Sequence, residues 1–262
     1  MFVTARDPDV TDKALQEDAM LEAFVSGRRI AVARGNSDDP GVRLTSDDWP
    51  YLYLEAARIP NMHLAIMIIL AFLFLLAGRG AMSGGHRLDL HFFFLGAAFL
   101  LLEFQNISKS TLLFGSTWMV NSVIITGILA LVLLANLFVS IFKTSKLRLV
   151  YLLLILSCVL VYVVPLSLFN FLGYWEKALA ASVILNLPVF FGGIIFIVSF
   201  KKTPRKDVAF GSNLLGAAVG GILESLSFVV GINTLLLLVI VFYLLSALTM
   251  KRFGDGVATA QQ

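Results

Sequence analysis

Seven apolar runs occupy residues 61–78, 88–108, 117–142, 148–172, 178–200, 208–230 and 232–250. A helix that crosses a bilayer needs about 20 mostly apolar residues. In hydrocarbon, its backbone polar groups must find their partners within the helix itself. The pattern therefore predicts an all-α polytopic membrane bundle of about seven transmembrane helices. The run at 117–142 exceeds the required length, so tilt or extension beyond the bilayer is expected. Only Gly231-Ile232-Asn233 separates the last two runs, which reads as a tight turn. The chain is 58% hydrophobic and 14% charged, with a mean hydropathy of +0.88. Those values exclude an ordinary soluble, secreted or disordered protein.

Residues 1–60 differ in kind. They hold 7 Lys/Arg and 11 Asp/Glu, whereas residues 61–262 hold 13 and 6, so an acidic segment precedes a basic apolar one. Arg6, Asp7, Asp9, Asp12 and Lys13 interrupt the stretch where a secretory leader would need an apolar core, so no leader is expected. Met1–Ala5 reads as a short strand, and residues 12–26 carry helical apolar spacing at Leu15, Ala19, Leu21 and Phe24. Asp38-Asp39-Pro40-Gly41 is turn chemistry. A lone strand and helix have no sheet to pack on. The expected division is thus 1–60, the tail of a larger α/β domain, and 61–262, the helical transmembrane bundle.

Orientation follows from Lys and Arg, which are enriched in cytoplasmic loops. Eleven of them (Arg79, Arg87, Lys143, Lys146, Arg148, Lys201, Lys202, Arg205, Lys206, Lys251 and Arg252) fall in alternate loops and at the C-terminal end. The opposing side offers Arg58, Lys109 and Lys177. The C-terminus is expected in the cytoplasm, and seven spans then place residues 1–60 on the other side. The basic residues sit in short loops, so the partner they imply is the lipid bilayer and not nucleic acid.

Polar residues at membrane depth are costly and call for a partner or a role. Glu103 lies on one side of its helix with Gly96, Asn106 and Ser110. Lys109 is a candidate partner for Glu103, although about 120° separates them around the axis. Glu224 shares an arc of about 100° with Asn213, Gly216, Ala217, Gly220, Ser227 and Gly231. Gly216-x-x-x-Gly220 and Ala217-x-x-x-Gly221 are small-xxx-small patterns that let backbones approach, so Glu224 is expected to face protein. Asn121, Asn136 and Asn186 read first as cross-helix hydrogen-bonding groups. Pro165 and Pro188 lie inside runs, where each removes a backbone donor and is expected to kink its helix. His86 and His91, beside Arg87 and Asp89, read as solvated loop histidines. No His/Cys spacing matches a metal site, and the single Cys158 cannot form an internal disulfide.

Several segments carry a resemblance. Thr45-Ser46-Asp47-Asp48-Trp49-Pro50-Tyr51-Leu52-Tyr53-Leu54, followed by Arg58-Ile59-Pro60 and an apolar run, resembles the end of the catalytic domain in bacterial membrane-bound spermidine synthase-like proteins. Leu113-Phe114-Gly115-Ser116-Thr117-Trp118, Leu187-Pro188-Val189-Phe190-Phe191-Gly192-Gly193 and Gly211-Ser212-Asn213-Leu214-Leu215-Gly216 through Glu224 are similar to the helical region that follows. The resemblance covers most of residues 40–250. It implies a Rossmann-like aminopropyltransferase domain joined to an inner-membrane bundle. Ser46 stands between the Thr and the Asp pair of the closing motif, which is a departure from that pattern. The glycine-rich strand-to-helix turn that would bind an adenosyl cofactor does not occur in residues 1–60. No cofactor is therefore expected, and Asp47, Asp48 and Trp49 read as a domain junction rather than as catalytic groups. Two functions follow. One is a membrane module that is not catalytic alone and partners itself or a separate synthase. The other is a transporter-like half-bundle that moves a small solute, cations included, with Glu103 and Glu224 as its charged points.

Overall fold

The chain divides into two compact units, Met1–Val42 and Arg43–Gln262. This computed structural model describes residues 45–51, 53–54, 56–82, 88–115, 117–142, 146–171 and 173–250, all within the second unit. The strand expected at 1–5, the helix at 12–26 and His86 lie outside the described residues.

The second unit is helical, with no strand among the described residues. Its elements are α1 (Asn61–Met82), α2 (Leu90–Phe114), α3 (Trp118–Phe142), α4 (Leu147–Val163), a 3₁₀ segment (Leu166–Phe171), α5 (Tyr174–Lys202), α6 (Lys206–Leu223), a 3₁₀ turn (Glu224–Leu226), α7 (Ser227–Val230) and α8 (Ile232–Thr249). Five segments are long and apolar enough to cross a membrane: Leu90–Phe114, Val120–Phe142, Trp175–Lys202, Lys206–Val230 and Ile232–Thr249. Asn61–Phe74 and Leu147–Val163 are shorter apolar helices. Leu129, Leu133 and Leu137 of α3 are 62%, 69% and 55% exposed, a leucine face that suits lipid and not water.

Helix ends follow local chemistry. Asp89 caps α2, its carboxylate accepting from the His91 and Phe92 amides at 3.1 and 3.4 Å. The expected run at 148–172 does not form one helix. Pro165 stops α4 at Val163, and Val164 before it is extended, as the residue ahead of a proline tends to be. Pro188, by contrast, lies inside the uninterrupted α5. Lys206–Val230 also changes winding, because the α-helix gives way to a 3₁₀ turn at Glu224.

α2 is the hub, packed against α6 and α8 most extensively and then against α5 and α3. Backbones meet along α2 and α6: a Cβ added at Gly96 would strike the Asn213 carbonyl, and one at Gly216 the Phe93 carbonyl. One at Gly220 would lie 2.6 Å from the Ala97 carbonyl oxygen, and one at Gly221 would lie 3.0 Å from Leu100 Cδ2. Phe93 with Gly216, then Ala97 with Gly220, means the two helices run parallel. His91 meets Ser246 while Phe94 stacks on Phe242, so α8 runs antiparallel to α2. The bundle thus has two ends. One holds Lys146, Arg148, Lys201, Lys202, Arg205 and Lys206, and the other holds the end of α2, the α7–α8 turn and the segment 45–51.

Candidate functional site

The junction residues build a lock at the second end. Gly231 takes φ +93°, a left-handed value that suits glycine, and so turns α7 into α8. The Asp48 carboxylate accepts from the Asn233 amide at 2.6 Å, and the Asp48 carbonyl accepts from the Ile232 amide at 2.8 Å. Two of the first amides of α8, which have no partner within their own helix, are therefore satisfied by a residue far away in sequence. A Cβ at Gly231 would also strike this carboxylate, so both the turn and the approach require glycine. Trp49 is fully buried, and its indole Nε1 donates to the Phe228 carbonyl at 2.7 Å. The Tyr51 hydroxyl donates to Ser227 Oγ at 2.6 Å, with its ring 4.6 Å from that of Phe228. Burial raises the Tyr51 hydroxyl above its ordinary pKa; the Ser227 bond opposes the rise, and the charges of Glu224 and Asp48 add to it. Asp47 is exposed, so of the acidic pair Asp48 makes the contact.

The small-residue seam holds Gly96, Gly216, Gly220 and Gly221 together with Asn213, whose Nδ2 donates to the Phe92 carbonyl at 3.2 Å. Glu103 lies on α2, and Glu224 opens the 3₁₀ turn that ends α6. Both are half-buried. Lys109 is not the partner of Glu103. It is buried, and its Nζ donates to the Val161 carbonyl at 3.0 Å. The reason lies in Pro165: a helical amide there would have bonded to Val161, and proline has none. A buried ammonium takes the place of the missing donor. This bond was available to sequence reasoning as the carbonyl four residues before an internal proline.

Asn106 is fully buried on the Glu103 side of α2. Its Nδ2 donates to Asn186 Oδ1 at 3.2 Å, and Asn186 Nδ2 donates to the Ser182 carbonyl at 2.9 Å. Asn186, Ser182 and Ser110 line an otherwise apolar cavity of about 700 Å³ between α3, α5 and the end of α2. Asn121, on the first turn of α3, follows the cavity-lining Val120. Gln105, singled out by no motif, is fully buried with neither amide atom hydrogen-bonded.

His91 corrects the expectation of a solvated loop group. It is 3% exposed, with Nδ1 at 2.9 Å from the Ser246 carbonyl and Nε2 at 2.9 Å from Ser199 Oγ. Tyr151 joins through Ser246 Oγ at 3.0 Å. One imidazole thereby ties α2, α4, α5 and α8 together at the lysine-rich end. His63 instead lies against Phe228, ring centroids 4.8 Å apart. Among the described residues, no group of three His, Cys, Asp or Glu could hold a metal ion, and Cys158 is buried and free. Comparison with protein families, curated proteins and solved structures finds no match for this chain.

Proposed function

We propose that this chain is the integral membrane module of a bacterial spermidine synthase-like protein and is not catalytic by itself. It would lie in the inner membrane with seven spans and a cytoplasmic C-terminus, alongside a second copy or a separate synthase. The Asp48–Trp49 lock carries this reading. A segment that resembles the close of a synthase domain is here tied by its carboxylate, carbonyl and indole to the α7–α8 corner. Such a tie suits a mount, and it leaves Asp48 engaged with backbone amides rather than free for proton transfer. The test is calorimetric titration of the purified chain with decarboxylated S-adenosylmethionine. No saturable heat is expected, and binding at micromolar affinity would overturn the proposal.

A transporter-like half-bundle is the second reading, supported by the half-burial of Glu103 and Glu224 within the helical bundle. Two carboxylates at membrane depth are the charged points such a bundle would use for a small solute, cations among them. Uptake into vesicles would then fall when Glu103→Gln and Glu224→Gln are introduced. Unchanged uptake in both variants would exclude it.

A further inference from the structure

We infer that the outward face of α3 pairs with α3 of a second copy of this chain. Such pairing rests on α3 being a membrane span and is compatible with either function proposed above. α3 supplies the least buried of the five candidate spans. Its buried residues, Ile128, Ala135 and Val139, are apolar. Its polar residues point the other way: Ser122, Thr126, Asn136 and Ser140 are all exposed, and only Asn121 is half-buried. A helix bathed in lipid on that face would carry the opposite pattern. Asn136 matters most. The centre of Val120–Phe142 is Leu131, so Asn136 stands about 7.5 Å from mid-span along the helix. That is well inside a hydrocarbon half-thickness of about 15 Å. The hydroxyls of Ser and Thr can bond back to a carbonyl of their own helix. A carboxamide has two donors and an acceptor to satisfy. The Asn136 side chain makes no hydrogen bond among the described residues, whereas Asn186 of α5 bonds both a carbonyl of its own helix and Asn106. Asn136, which reads from sequence as a cross-helix group, therefore has no helix of its own chain to bond.

The spacing names the partner. Exposed Ser122, Leu129 and Asn136 recur every seven residues, as do exposed Thr126, Leu133 and Ser140, four positions on. The six fall within about 80° of arc. Their alternation of four and three residues is the seam of a left-handed helix pair. Ser122, Thr126 and Ser140 are small enough to let the backbones approach. Copies of one chain enter the membrane in one orientation, so their α3 helices meet parallel to one another about a two-fold axis. In a parallel pair of this register each seam residue meets its own counterpart. Asn suits that self-contact, because one amide gives the N–H and the other the oxygen. A Lys or a Glu there would repel its copy. An unrelated partner would have to supply a carboxamide at the same depth, whereas a second copy supplies it by symmetry.

The experiment is cysteine cross-linking of the full chain in carbonate-washed native membranes, in a Cys158→Ala background. Oxidation should join Leu129→Cys or Leu133→Cys chains into a species of twice the chain mass of 28.7 kDa. The yield from Val123→Cys or Leu134→Cys, also exposed but off the seam, should be at least fivefold lower. Asn136→Leu, which leaves the outward face apolar, should lower the Leu129→Cys yield at least threefold. Asn136→Gln keeps both donor and acceptor and should lower it by less than half. Absence of the double-mass species at both seam positions would overturn the inference, as would equal yield on and off the seam. An adduct of any other mass would assign the face to a different protein and overturn it too. So would an Asn136→Leu yield equal to the parent's, or an Asn136→Gln yield no higher than that of Asn136→Leu. In each of these cases the chain, retained in washed membranes, stays a membrane protein. Release of the chain by the wash would remove the membrane reading as well.

Discussion

Asp48 satisfies one α8 amide through its carboxylate and another through its own carbonyl, so its side chain acts as a helix cap supplied from a distant segment. Loss of such a cap costs about 1 kcal/mol. Asp48→Ala is expected to destabilise the chain by that amount and so lower its thermal midpoint in detergent, while Asp47→Ala, at an exposed position, leaves the midpoint unchanged. Tyr51 adds a pH dependence. Its hydroxyl is raised in the folded chain, so its contribution is fully present below the ordinary tyrosine value of about 10 and is lost as pH rises through the folded value. Stability of the parent relative to Tyr51→Phe should therefore be constant to about pH 10 and then decline. Lys109 and Pro165 form a testable couple. Lys109→Met orphans a buried carbonyl and should cost about 1–3 kcal/mol. The same change in a Pro165→Ala background, where an amide can reach Val161, should cost clearly less. Additive effects in that double-mutant cycle would contradict the account.

At the scale of elements, the α2–α6 seam was legible in the sequence because small residues at four-residue spacing state directly where backbones can touch. Gly216→Ala forces a methyl into the Phe93 carbonyl and should destabilise by about 1–3 kcal/mol. Gly211→Ala, with open space around it, should be neutral or slightly stabilising in the same unfolding assay. Other features were not legible. Trp49 finds Phe228 across 179 residues, and no local pattern announces that pairing. His91 reads as a loop residue from Arg87 and Asp89. Its burial comes from Ser199 and Ser246 on helices more than a hundred residues onward. The change of winding at Glu224 had no proline to mark it. Pro165 did mark a break, and there the helix stops where a kink was expected.

For the whole molecule, the two ends of the bundle differ in chemistry. One end carries Lys146, Arg148, Lys201, Lys202, Arg205 and Lys206, and the other carries the Asp48–Trp49 lock. If lysine-rich loops lie in the cytoplasm, the lock lies on the opposite face, away from any cytoplasmic adenosyl cofactor. The proposed placement of the lock on the non-cytoplasmic face rests on that polarity. Thiol accessibility tests it directly, because the single native Cys158 is buried and gives a silent background. Asp47→Cys and Lys202→Cys, both at exposed positions, are labelled with an impermeant maleimide in intact spheroplasts and in inverted vesicles. The account predicts label at position 47 in spheroplasts only and at position 202 in inverted vesicles only. Label at both positions from the same side would contradict it.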